Sequence, residues 1–168
     1  PVLIALPSEV PHMTTSPGHE SLELMALNER AIAALYERYA HLLPGWTDFW
    51  KGLAEEEHHH AAVIDSVRDK VTGAQPERFK PETVRTFTGY VRSYINAADE
   101  SVSPKTAIAT AHSIESGLIE RRFFEQLPHD DPEISSALST LKSETEHHVR
   151  KVKDAFSRAR THQGYAPE

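Results

Sequence analysis

Prolines divide the chain into long segments that can form uninterrupted helices. Four prolines crowd residues 1–18, none occurs in residues 19–43, and the pair Pro44-Gly45 follows. Because proline lacks the amide hydrogen that a helix interior needs, such positions mark where helices begin or end. The spacing predicts an irregular N-terminal arm over residues 1–18, a helix over residues 19–43 and a second helix that resumes at Trp46.

Apolar residues recur in both segments at the spacings of an amphipathic helix. The first stripe consists of Leu22, Met25, Ile32, Tyr36, Tyr39 and Leu43. The second consists of Trp46, Phe49, Trp50, Leu53, Ile64, Val67 and Val71. The connector between them is too short for anything except an antiparallel helix pair.

The second half of the chain offers another pair after a long crossover, residues 72–103, whose amphipathic stretch predicts a short extra helix. Ser103-Pro104 and Asp131-Pro132 each provide an N-cap followed by proline at the first helical position. The third long helix is expected to end at Leu127, and the fourth follows Asp131. The prediction is an all-α fold, with two antiparallel helix pairs forming a four-helix bundle.

In this organisation the bundle spans residues 19–162 and a tail covers residues 163–168. The chain has no cysteine, which excludes disulfide scaffolds, thiolate-held zinc, iron–sulfur centres and thiol nucleophiles. A formal net charge of -7 argues against a nucleic-acid surface. The apolar run at residues 2–6 is interrupted by Pro7 and has no basic flank, so we expect neither a signal peptide nor a membrane span. These features predict a cytoplasmic protein that binds cations rather than nucleic acid or membranes.

Ionisable residues interrupt the inner apolar stripe of every long helix. They are Glu29 in the first helix, Glu57 and His60 in the second, Glu115 in the third, and Glu144 and His148 in the fourth. Burying several unpaired carboxylates would cost several kcal/mol for each ion, so a positive partner is expected among them.

The depth of these residues can be compared by counting from the turns. Glu29 lies about 15 residues before the first turn, while Glu57 and His60 lie about 12 and 15 residues after it, or some 20 Å along the axis at ~1.5 Å per residue. The second pair of helices is counted from the loop centred near Asp130. Glu115 lies about 15 residues before this loop, and Glu144 and His148 lie about 14 and 18 residues after it. The groups are therefore level, and two divalent ions of iron, or alternatively manganese, would neutralise them.

The segments ALNERAIAALY and LAEEEHHHAAVI contain the patterns E-x6-Y and LA-x2-E-x2-H. With SIESGLIERRFF and LKSETEHHVRKV in the second half, they resemble the rubrerythrin-type branch of the ferritin-like di-iron superfamily over roughly residues 20–160. The resemblance implies that the bundle is ferritin-like and that Glu57 and Glu144 bridge or chelate two iron ions. It also implies that Glu29 and Glu115 are terminal ligands, and that His60 and His148 each complete one metal.

The same resemblance implies an oxidoreductase of the ferroxidase or peroxidase type, acting on ferrous iron and on oxygen or peroxide. Tyr36 would lie beside the metals as a candidate catalytic residue that supplies an electron or a hydrogen bond. Rubrerythrins usually draw electrons from an iron held by four cysteines, which this chain lacks. We therefore expect oxidation of ferrous iron or reduction by an external electron donor. Ferritin-like bundles commonly dimerise, so a homodimer or larger homo-oligomer is expected.

The last helix departs from the expected register. Aligning Leu53 with Leu141 places Thr145 opposite Glu57 and His148 opposite His60. The ligand pair is then either Glu144 with His148 or Glu144 with His147. We favour His148 because Lys151, one turn beyond His147, marks an outward face. An asymmetric or single-metal site is the alternative.

Other ionisable and aromatic residues are interpreted more simply. Solvated positions are expected for His58, His59, Glu55, Glu56 and Glu146. Glu120 is a reserve ligand, and His112 is an alternative ligand or a neighbour of the site. The aromatic residues Tyr39, Trp46 and Trp50 are expected to pack in the core.

Two other classes of function are compatible with an all-α bundle. A bundle of the DinB kind holds one zinc or nickel ion with three histidines at one depth, and His112 would have to be the third here. A structural or partner-binding bundle would place Lys or Arg opposite the inward glutamates, and Arg122 is the one candidate.

Overall fold

A computed structural model of the chain describes residues 17–68, 70, 81–120 and 131–161. Within this part the prediction of an all-α fold is confirmed. The helices are α1 (Pro17–Leu42), α2 (Thr47–Arg68), α3 (Pro81–Ala97), α4 (Pro104–Glu120) and α5 (Pro132–Thr161). α1 begins at Pro17, so the last two residues of the predicted irregular arm are helical, as is common for proline at the first helical position. The rest of the predicted arm and the predicted tail lie outside the described residues.

α1 and α2 form the predicted antiparallel pair. Side-chain contacts pair Glu37 with His58 and Arg30 with Asp65, so residue numbers rise along one helix as they fall along the other. The connection is a single 3-10 turn, Pro44–Trp46, in which the Trp46 amide donates to the Leu43 carbonyl at 2.8 Å. The second helix therefore begins at Thr47, one residue later than the sequence predicts.

The extra helix that the sequence predicts within the crossover is present. α3 has 17 residues and packs against α1. Thr88 of α3 donates to the Asn28 side chain of α1 at 3.0 Å, and both residues are buried. The stripe Val84, Phe87 and Val91 is buried, as expected for the inner face of an amphipathic helix.

α4 and α5 begin at the predicted N-caps. The Ser103 hydroxyl accepts from the Thr106 amide at 3.1 Å, and the Asp131 carboxylate accepts from the Glu133 amide at 2.7 Å. The two helices pack against each other, and α5 also contacts α2. The predicted end of the third long helix near Leu127 lies outside the described residues.

Apolar side chains from all five helices fill the core, including the aromatic cluster of Tyr36, Tyr39, Trp46 and Trp50. Among the described residues, no helix is both long and apolar enough to cross a membrane. The core also contains buried charged and polar side chains, and most of these lie where α1, α2, α4 and α5 meet.

Candidate metal centre

Three glutamates and two histidines lie buried in the interior of the helix assembly. Glu29 comes from α1, Glu57 and His60 from α2, Glu115 from α4 and His148 from α5, and each is at most 2% exposed. The structure brings together these five of the six residues that the sequence places on inner faces. The helical stripes position them, since each occupies a position that would otherwise hold an apolar core residue.

Glu57 lies between the two histidines. Its Oε2 is 3.0 Å from His60 Nδ1, and its Oε1 is 2.8 Å from His148 Nδ1. The two imidazole rings are stacked, with centroids 5.2 Å apart and planes inclined by 22°. One ligand atom from each of the three residues lies within 4.8 Å of the other two. This arrangement allows one cation to contact all three residues, or the carboxylate to bridge two cations.

The outer nitrogen of each histidine contacts a glutamate on the opposite helix. His60 Nε2 is 3.1 Å from Glu144 Oε2, and His148 Nε2 is 2.5 Å from Glu56 Oε2. Lys151 donates to the other oxygen of Glu56 at 2.9 Å. A carboxylate on the outer nitrogen orients the ring so that its inner nitrogen is directed at a metal.

Glu115 and Tyr36 form a second buried contact at the centre. The Tyr36 hydroxyl donates to Glu115 Oε1 at 2.5 Å, and the same oxygen is 3.8 Å from His148 Nδ1. Tyr36 is buried against the indole of Trp50, with ring centroids 5.5 Å apart. The side chain predicted to lie beside the site therefore contacts one of its carboxylates.

Several polar atoms at this centre lack a regular hydrogen-bond partner. Glu29 Oε2 and Glu115 Oε2 have none, and Glu57 Oε1 and His148 Nδ1 have only each other, at 2.8 Å. Buried polar groups are normally paired, and a bound cation could satisfy these four potential ligand atoms.

The electrostatics of the three carboxylates differ. Burial, together with the charge of Glu57, raises the pKa of Glu29 well above its usual range and that of Glu115 to about 8. Burial acts in the same direction on Glu57, but hydrogen bonds with His148 and His60 outweigh it and lower the pKa of Glu57. Without metal, Glu57 is thus the ionised member of the group, Glu115 retains a proton near neutral pH, and burial disfavours the ionised form of Glu29.

The histidine on α5 is held in its charged form. Burial lowers its pKa, but contacts with Glu56 and Glu57 outweigh this and raise the pKa of His148 to about 10. The hydrogen bond from His148 lowers the pKa of Glu56 to about 2. A metal ion at His148 would therefore have to displace a proton, as binding to an imidazole nitrogen requires.

Other residues singled out in the sequence lie elsewhere. Glu144 is 43% exposed and contacts the outer nitrogen of His60, while Thr145 is buried beside it. Thus Glu144 does not occupy the bridging position that the resemblance implies, because one residue changes the direction of a helical side chain by about 100°. His147 is exposed, whereas His148 is buried within the centre.

The remaining candidates lie at the surface or at the margin. His58 and His59 are exposed, and His58 is 2.9 Å from Glu37. His112 is half-buried and does not belong to the group of close ligand atoms found among the described residues. The side chains of Glu120 and Arg122 lie outside the described part of the chain.

Glu56 is the residue that the sequence interpretation missed. It was expected to be solvated, yet it contacts His148 and Lys151 while remaining 42% exposed. The sequence contains one signal for this contact: Glu56 precedes His60 by four residues, just as Glu144 precedes His148 by four.

A cleft of about 680 Å³ opens between α2 and α5 on the outer side of the histidines. Its lining includes His60 and His148 together with Glu56 and Glu144. The cleft offers small molecules and ions a route from solvent to the outer edge of the centre. Comparisons with protein-family models, characterised proteins and solved structures find no significant match.

Replacing Glu56, the glutamate at the outer nitrogen of His148, should weaken metal binding without removing a proposed ligand. For Glu56→Gln we expect a loss of about 10- to 100-fold in Mn²⁺ affinity, because the amide no longer orients His148 as a carboxylate does. Calorimetric titration of the metal-free protein measures this change. Glu55→Gln, at the exposed neighbouring position, serves as the control and should match the unmodified chain, and an equal loss in both variants would contradict the positioning role.

Proposed function

We propose that this chain is a di-metal carboxylate protein with a ferritin-like bundle, which binds two iron or manganese ions at the centre formed by Glu29, Glu57, His60, Glu115 and His148. The observation that carries the proposal is the position of Glu57, whose two oxygens each face the Nδ1 atom of a different histidine. Such a carboxylate can bridge two cations, each completed by one imidazole.

The chemistry of the ligand set supports iron or manganese. Carboxylate oxygens and imidazole nitrogens suit these borderline to hard divalent ions, and the chain provides no thiolate. The unpaired atoms of Glu29 and Glu115 lie on α1 and α4, where each could act as a terminal ligand. The pairing of α1 with α2 and of α4 with α5, with α3 in the crossover, is compatible with a ferritin-like arrangement.

We propose that the activity is oxidation of ferrous iron, reduction of oxygen or peroxide, or both, with ferrous iron as substrate. Bound iron would supply the one-electron redox chemistry. Glu56 and Glu144 hold the histidine rings in position, and the buried helix faces around the centre limit access of bulk water. The Tyr36 hydroxyl, whose oxygen lies 2.5 Å from Glu115 Oε1, donates to that oxygen and would stabilise its negative charge when metal is bound. These 168 residues contain no cysteine that could hold an additional, electron-donating iron, so electrons beyond those of ferrous iron would come from an external donor.

A second candidate is a single-ion site. It is favoured by the compact group of Glu57, His60 and His148, whose ligand atoms lie within 4.8 Å of one another. Two histidines and one carboxylate can bind one zinc or iron ion and leave positions open. A three-histidine site of the DinB kind is less well supported, since His112 lies outside this group.

Metal content tests the proposal directly. Metal-free protein loaded with excess ferrous iron should bind up to two iron ions per chain and, after exposure to air, show an absorption band of ferric iron. Addition of ferrous iron to the metal-free protein should accelerate oxygen consumption relative to buffer. One zinc per chain would favour the second candidate, and a protein that binds no transition metal would overturn both.

A further inference from the structure

The metal centre contains an internal repeat that relates α2 to α5. Glu56 precedes His60 by four residues, and Glu144 precedes His148 by four. Each histidine contacts the glutamate of the other helix, at 3.1 Å for His60 with Glu144 and 2.5 Å for His148 with Glu56. The contacts are therefore reciprocal, and positions 56 and 60 correspond to positions 144 and 148.

By the same correspondence, Glu57 is related to Thr145. Thr145 is 1% exposed, and its hydroxyl donates to the carbonyl of Leu141 at 3.0 Å. On α2 this position supplies the carboxylate between the two histidines, whereas on α5 it supplies a neutral hydroxyl that already bonds its own helix. The repeat is thus broken at the one position where a second central carboxylate would lie.

The broken repeat limits the negative charge available to bound metal. Glu29, Glu57 and Glu115 supply at most three negative charges, which exceed the charge of one divalent ion but fall short of the charge of two. A second divalent ion would therefore leave an excess positive charge at a centre that has a single carboxylate between its two histidines. Glu56 and Glu144 compensate this only weakly, because both are more than 40% exposed and Glu56 is also paired with Lys151.

We infer that Thr145 makes the two metal positions unequal: the chain holds one divalent ion tightly, and the second binds weakly and is completed by an anion from solvent. This inference rests on the proposed metal function and specifies how the site is loaded. It makes Thr145 a determinant of metal occupancy that is not itself a ligand. The anion would be a small carboxylate, which supplies the missing negative charge between the ions.

The test is titration of the metal-free protein with Mn²⁺, followed by calorimetry and by the electron paramagnetic resonance signal of free Mn²⁺. In the unmodified chain we expect the second ion to bind at least about 100-fold more weakly than the first, because one central carboxylate is missing. T145E should bring the two affinities within about tenfold of each other. T145Q has the size of glutamate without its charge, and it should leave the second ion weak.

Formate gives an independent measurement on the unmodified chain. Millimolar formate should strengthen binding of the second ion by about tenfold or more and should have little effect on T145E, which already carries the carboxylate. If T145E loses its helical circular dichroism, the affinity ratio and the formate effect in the unmodified chain decide the question.

The outcomes separate this inference from the proposed function. Two ions of nearly equal affinity in the unmodified chain, without formate, would overturn the inference and leave the metal function intact. A well-folded T145E whose second ion stays weak, or a second ion that does not respond to formate, would also overturn the inference. Absence of Mn²⁺ and iron binding in the unmodified chain would overturn the proposed function itself.

Discussion

Glu57→Gln is expected to abolish tight metal binding while leaving the helix content unchanged. Glu57 is the carboxylate whose two oxygens approach the inner nitrogens of both histidines, at 3.0 and 2.8 Å. Glutamine fits the same space but replaces one oxygen with an amide group that repels a cation, and it removes the charge. We expect Mn²⁺ affinity to fall by at least about 100-fold, measured by calorimetric titration and by metal analysis after gel filtration.

The matched control for this variant is Glu55→Gln, two residues earlier on the exposed side of α2. It makes the same chemical change in the same helix and should retain the metal stoichiometry and affinity of the unmodified chain. Circular dichroism of both variants separates loss of a ligand from loss of the fold. A Glu57→Gln protein that keeps its full complement of metal would contradict the assignment of Glu57 as the central ligand.

The placement of Glu29, Glu57, His60, Glu115 and His148 follows from features that a sequence displays. Proline and N-cap residues mark where the helices begin, as Ser103 and Asp131 show. Helical rise is constant, so counting residues from a turn gives the depth of each side chain. Depth and an inward stripe together were enough to bring these five residues to one level.

The positions of Glu144 and Glu56 depend on finer geometry. Adjacent helical residues differ by about 100° in direction, so a small rotation of α5 decides whether Glu144 or Thr145 is directed inward. Glu56 lies at the edge of the buried face, where a glutamate can extend to solvent or to a partner on another helix. Its partner, His148, is 92 residues away in the chain. The apolar pattern of α2 contains no information about that distant contact.

Metal-free protein is expected to lose stability as the pH rises from 5 to 8, and metal should reverse this trend. The folded pKa of Glu115 is about 8, against an ordinary value of 4.5, because of burial and the charge of Glu57. Between these two values the unfolded chain releases a proton that the folded chain retains, so the free energy of unfolding falls by about 1.4 kcal/mol per pH unit for each such proton. Glu29 acts in the same direction, as does His148 between 6.5 and about 10.

Glu115→Gln removes the carboxyl group that retains one of these protons, so position 115 no longer contributes to the fall in the free energy of unfolding with pH. In the presence of a chelator at pH 8, the variant should therefore unfold at a temperature roughly 5 °C or more above that of the unmodified chain. With saturating Mn²⁺ the order should invert, because binding displaces the retained protons and stabilises only the protein that has the carboxylate ligand. Thermal unfolding at pH 5, 6, 7 and 8, with chelator and with Mn²⁺, measures both effects, with Glu55→Gln as the control. The inversion distinguishes a metal ligand from a residue that only packs in the core. If Glu115→Gln lowered the unfolding temperature without metal as well, Glu115 would be a packing residue, and its burial would not reflect a cation site.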